Sequence, residues 1–143
     1  MKSKSENILE ALFAALQTME DVEVQRNTAV PVAIPESGLL ILRDGEFGEP
    51  ESSLGGFADY YFSHKADLEV YVQEGSQALR DTQSDEILQK VYAAFSSNIT
   101  LGGLVLGMEI TRDTSRLEPI EGAEAIKFIS LNITLEYQSN TSI

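Results

Sequence analysis

Residues Tyr60 to Glu74, YYFSHKADLEVYVQE, alternate almost without fault. Tyr60, Phe62, His64, Ala66, Leu68, Val70 and Val72 fall on one side, and Tyr61, Ser63, Lys65, Asp67, Glu69, Tyr71 and Gln73 on the other. Period two sustained this long is the pattern of a half-buried strand, and the Tyr, Phe and Val content agrees. At roughly 3.3 Å per residue it would reach about 45 Å, well beyond a common strand. A strand that long either bends or projects past its own domain.

The remaining segments supply partners for that strand. Glu6 to Met19 reads as an amphipathic helix with Ile8, Leu12, Leu16 and Met19 on one stripe and Leu9 and Phe13 beside it. Ser3 or Ser5 caps it, and Ser3 with Glu6 has capping-box spacing. Val22 to Gln25 alternates as a short strand. The stretch NTAVPVAIPESG holds Pro31 and Pro35, which lack amide donors, so it is an extended edge or a loop. Leu39 to Leu42 is continuously apolar, as in a strand covered on both faces. Asp44-Gly45 signals a turn.

Ser84 to Ser97 reads as a second helix, with Ser84 as N-cap and an apolar face of Ile87, Val91, Ala94 and Phe95. Val91 and Phe95 are expected to pack on Leu68 and Val70. Asn98 to Gly107 is a glycine-rich turn, Met108 to Arg112 a strand, and Asp113 to Gly122 a connection. Ala123 to Gln138 is a second long strand. Its apolar residues change side near Phe128–Ile129, which predicts a bulge or twist there. The order is α-β-β-β-α-β-β over a single domain, residues 1–143. The fold class is α+β: an antiparallel or mixed sheet of four to five strands with two helices packed on one face.

Composition narrows the chemistry. The net charge is −13, from 23 acids against 10 Lys and Arg. Binding to free duplex DNA needs basic groups that displace counterions, so this balance argues against it. There is no cysteine, which removes disulfides, zinc ribbons and thiol nucleophiles. His64 is the single histidine, so a histidine metal cluster is impossible, and any Ser-His-acid triad would have to use it. The glycines of LGGLVLG lack phosphate-loop spacing, and DGEFGEPE lacks the ligand pattern of a calcium loop. No cofactor, metal or catalytic site is expected. An enzyme using His64 or a carboxylate pair is the distant alternative. No apolar run is long enough for a membrane span, and Glu6, Asn7 and Glu10 interrupt the N-terminal apolar stretch, so secretion is not expected.

Residues 44 to 58, DGEFGEPESSLGGFA, carry glycines and acids and no base. They are expected to form a long mobile loop, with like charges at Asp44, Glu46, Glu49 and Glu51 and with Leu54 and Phe57 as apolar anchors that a partner could bury. Tyr60, Tyr61 and Tyr71 are the candidate subunit contacts, since aromatic residues are enriched in interfaces.

Taken together, ILEALFAALQTM, IPESGLLILRDGE, YYFSHKADLEVYVQE, SDEILQKVYAAFSSN, LGGLVLGMEITRDTSRLEP and IKFISLNITLEYQ, in this order, resemble the tail terminator proteins of long-tailed bacteriophages and prophages, of the minor tail protein U type. The resemblance spans essentially the whole chain. It lies in element order and in soft motifs: the tyrosine-rich entry to the long strand, the LGG turn and the final alternating strand. It implies a structural virion protein, assembled in the bacterial host cytoplasm, that forms a six-membered ring of its own copies on the end of the tail tube. That ring stops tube polymerisation and offers the surface to which the head–tail connector joins, while DNA passes through without specific binding; the loop of Asp44, Glu46, Glu49, Glu51, Leu54 and Phe57 is then the expected tube contact or lumen lining, ordered on docking. A neck or head–tail completion protein of similar fold is the nearest alternative.

Overall fold

The computed structural model describes residues 1–31, 33–52 and 59–143. Helix α1, Lys4–Gln17, begins where the Ser3 backbone is extended and its Oγ accepts from the Glu6 amide at 3.2 Å. It ends at Thr18, whose hydroxyl donates to the Ala15 carbonyl at 2.7 Å. Ile8, Leu9, Leu12 and Leu16 are buried. The Glu6 carboxylate instead accepts two hydrogen bonds from the Arg26 guanidinium, at 2.9 and 3.0 Å.

The other elements are β1 Glu23–Arg26, β2 Leu39–Glu46, β3 Glu51–Ser52, β4 Tyr60–Gln73, α2 Gln77–Ser96, β5 Gly107–Glu118 and β6 Ile126–Ser139. They build one mixed sheet in the order β1-β2-β4-β6-β5, with β3 paired to β4 beyond the end of β2. The described residues thus form an α+β fold with six strands rather than four to five, the short β3 being the addition. β1 runs parallel to β2 and every other pair is antiparallel. β4 and β6 pair without interruption from Tyr60↔Ser139 to Gln73↔Ile126.

Strand alternation divides the core. On the helix side, Phe62, Ala66, Leu68, Val70 and Val72 of β4 and Ile129, Leu131, Ile133, Leu135 and Tyr137 of β6 are buried with Val91 and Phe95 of α2 and the apolar face of α1. The front of both long strands is therefore covered along its whole length. The opposite face carries a smaller cluster of Ile34, Leu39, Ile41, Tyr71, Ile126 and Phe128. Ile34 comes from the proline-containing link between β1 and β2, and its amide donates to Gln73 Oε1 at 3.0 Å. All four residues of Leu39 to Leu42 are fully buried because each face of β2 meets one of these clusters.

Four sequence expectations are revised. Helix α2 begins at Gln77, capped by Ser76, and Ser84 is an interior buried position. β6 has no bulge at Phe128–Ile129, because both its faces are buried there. The irregularity lies in β5 instead, between Arg112 and Thr114, where Asp113 is the extra residue. β5 also runs to Glu118, six residues past the expected end at Arg112. Finally, Asp44 to Glu46 is not a turn, since β2 continues through it with a register shift. Gly45 permits this at φ +72, where a Cβ would stand 2.0 Å from the Lys65 carbonyl oxygen.

Candidate functional site

Among the described residues, the back face of the sheet is covered at one end and open at the other. The covered end is the Ile34–Tyr71–Phe128 cluster. Beyond it, alternation places Tyr61, Ser63, Lys65 and Asp67 of β4 beside Asn132, Thr134 and Glu136 of β6 and Glu109 and Thr111 of β5. Both helices lie on the other side of the sheet, with the main core.

This open face is acidic. Asp67 is opposite Arg43 on one side and Asn132 on the other. Burial pushes its carboxyl above the usual carboxylate range, and the nearby charges of Glu69, Asp113 and Glu46 push it further. Arg43 donates to Glu69 at 2.9 Å and offsets part of that charge. At the open end, Glu49 and Glu51 join Tyr61, Ser63, Leu106 and Glu136 around a shallow cleft of about 310 Å³.

The structure brings some of the sequence candidates together and separates the others. Glu49, Glu51 and Tyr61 come together at that cleft, with Tyr61 43% exposed. Glu46 lies opposite Lys65 in the sheet. Asp44 has a structural partner: Arg26 bonds it at 3.0 Å while holding Glu6, which ties α1, β1 and β2 together. Tyr60 is half-buried against the main core. Tyr71, expected on an exposed face, is only 6% exposed, packs its ring 5.1 Å from that of Phe128 and donates to Glu69 at 3.0 Å. Leu54 and Phe57 lie outside the described residues. Glu136 and Leu106 were not singled out by sequence reasoning. The signal for Glu136 was present, since it alternates with buried Leu135 and Tyr137 and so shares the face of Tyr61.

His64 is fully buried on the helix side, opposite Leu135 and with the Phe47 ring 4.2 Å away. Its Nε2–H donates to the Asp44 carbonyl, leaving Nδ1 as the nitrogen that titrates, buried and without a partner among the described residues. Burial lowers its pKa below the ordinary value, and the Asp44 carbonyl and the charges of Asp44 and Asp67 only partly oppose this. The unfolded chain therefore takes up the proton first. Stability is full above about pH 6.5 and falls as the pH drops through that value toward the lower folded pKa. Denaturation midpoints measured from pH 7.5 to pH 5 are expected to fall. The part of that fall due to His64 is expected to disappear in His64→Gln, and an unchanged pH slope in that variant would refute the assignment.

Among the described residues no group of three or more His, Cys, Asp or Glu is placed to hold a metal ion. No described helix is long and apolar enough to cross a membrane.

No protein-family model matches the chain, and no curated protein matches it. Among solved structures it is similar to the sheath/tube terminator of an extracellular contractile injection system in the extended state. The identity is 14% and the TM-score 0.46, over 95% of this chain and 57% of that one. The present chain thus spans little more than half the length of that protein. It is also similar to a chain from the virion of a native gene transfer agent particle, at 14% identity and TM-score 0.39, over 94% of this chain and 92% of that one. At this divergence the likeness carries no residue-by-residue correspondence.

Proposed function

We propose that the chain is a structural subunit of a phage-type tail, a tail terminator located in the virion. Its copies join into a ring, expected to be six-membered, that closes the tail tube and presents a surface to the head–tail connector. The observation that carries this reading is the half-covered back face. One end of it is sealed by a small core, while the other groups Glu49, Glu51, Glu136 and Tyr61 around a shallow cleft on an extended sheet. A shallow acidic surface with an exposed aromatic suits docking to another protein better than enclosing a small substrate. The element order on which the sequence resemblance rests is the observed one, with β3 added.

Charge fits the same role. With a net charge of −13, a ring of such subunits repels phosphate, so DNA moves through the hole without adhering. Acids on the β3 arm that face the lumen would strengthen that effect, and those that face the tube would select a basic surface.

The test is electron microscopy of purified tail tubes mixed with the protein. Wild-type protein is expected to form rings at tube ends and to halt lengthening. Tyr61→Ser, and separately Glu49→Lys with Glu51→Lys, are expected to keep the wild-type melting temperature, because all three side chains lie outside the core, and to lose most end occupancy. Tubes that lengthen equally with and without the wild-type protein would refute the proposal.

A further inference from the structure

Among the described residues strand β5 is the terminal strand of the sheet, hydrogen-bonded only to β6. From Thr111 to Leu117 every residue is exposed. A long open edge of this kind is a template for another strand, and proteins ordinarily guard such edges with charges and bulges. β5 has both, yet its charges are arranged to complement a second β5. Its sequence is GMEITRDTSRLE. We propose that two copies of this chain pair antiparallel along β5, about a two-fold axis passing between Arg112 and Asp113.

In that register Arg112 and Asp113 of the two copies flank the axis, and Glu109 of each copy stands opposite Arg116 of the other. Thr111 meets Thr114, Ile110 meets Ser115 and Met108 meets Leu117. Residues directly opposite in an antiparallel pair must lie on the same face of the sheet. Before the bulge, even-numbered residues of β5 share the helix side with Leu135, Ile133 and Leu131. After the bulge, odd-numbered residues do, since Ser115 is opposite Ile129. The extra residue Asp113 therefore makes each of the opposed pairs flanking it match in face: Glu109 and Arg116 behind, Met108 and Leu117 in front. Without the bulge the same charge register would set front residues against back ones.

A second observation fits the same alignment. Leu117 is 53% exposed on the helix side. On that side, at the other end of β5, an apolar groove of about 220 Å³ lies between α2 and the sheet edge, lined by Tyr92, Phe95, Ile99, Met108 and Ile110. Tyr92 and Ile99 are 68% and 52% exposed. The two-fold carries Leu117 of each copy to Met108 at the rim of the other copy's groove. Arg116 at present bonds Glu118 at 2.8 Å and lies over the Phe128 ring, an exposed arrangement that leaves the guanidinium free to turn toward Glu109 of the second copy.

The pairing closes on itself, so it yields dimers and not filaments. It involves neither the Glu49–Glu51–Tyr61 cleft nor the tail-terminator role, and it stands or falls separately from both. Sedimentation velocity of the full chain from micromolar to millimolar concentration tests it. A monomer–dimer equilibrium is expected. Glu109→Arg sets two bases opposite each other and Arg116→Glu sets two acids, so each variant alone is expected to dimerise about tenfold more weakly or worse. Mixing the two variants restores opposite charges at both positions and is expected to restore dimers. A folding defect would not be repaired by mixing. Leu117→Asp, which leaves the bulge untouched, is expected to give the same loss. A wild-type chain that stays monomeric throughout, single variants that dimerise like wild type, or a mixture no better than its components would each overturn the proposal.

Discussion

Replacing Leu68 by alanine is expected to destabilise the isolated chain by about 2–5 kcal/mol, the usual range for truncating a fully buried leucine. Leu68 has no exposed surface and sits midway along β4, opposite Leu42 on one side and Leu131 on the other. Val91 and Phe95 of α2 belong to the same core. Three elements therefore surround the vacated volume and cannot all collapse into it. A chain of this size is stable by about 5–15 kcal/mol, so the loss is a large fraction of the total. Urea titration would measure it as a lower midpoint with an unchanged slope. A loss below about 1 kcal/mol would mean that the site relaxes freely, contrary to close packing.

Tyr71→Ala is expected to cost about 3–5 kcal/mol, as for other buried aromatic truncations. The sequence pattern set Tyr71 on the polar side of β4 and implied a much smaller effect. The structure places it at the centre of the second cluster, between Leu39 of β2 and Phe128 of β6, with its hydroxyl on Glu69. Burial, together with the Glu69 carboxylate, pushes its pKa up to about 12. The folded chain thus keeps its phenolic proton after the unfolded chain, at about 10, has lost it. Stability due to this residue is full below about pH 10 and is lost as the pH rises toward 12. Tyr71→Phe is expected to remove that alkaline dependence while retaining most of the packing. A Tyr71→Ala variant as stable as wild type would mean that the small cluster contributes little.

These two residues also mark what the sequence made legible. Leu68 could be assigned because strict alternation over β4 leaves one reading of its faces. α1 was readable for the same reason, with one apolar stripe and one serine cap. The first half of α2 was not. Its buried positions there are Arg80 and Ser84, which return their polar groups to nearby carbonyls: Arg80 to Glu74 at 2.6 Å and Ser84 to Asp81 at 3.1 Å. No apolar period betrays such a turn of helix. The burial of Tyr71, and with it a straight β6 at Phe128, was not legible because what covers that end, Ile34, comes from a proline-containing link with no periodicity. At the candidate site, Glu49, Glu51 and Tyr61 could be named individually from charge and aromatic character. Their convergence with Glu136 depends on the β3–β4–β6 register, which local sequence does not encode.

The position of β6 in the sheet has a consequence for synthesis. It lies between β4 and β5, yet it follows every other element along the chain. As the polypeptide emerges, β4 has only β2 and β3 beside it, and β5 has no neighbour at all. Neither α1 nor α2 has a complete surface to lie on until Ile126 to Ser139 is inserted. Each β4–β6 contact closes a long loop, from Gln73–Ile126 outward to Tyr60–Ser139, so the decisive step is slow and non-local. The nascent chain therefore carries an open strand on each side of a missing centre, and its exposure to mispairing ends only when the last strand arrives.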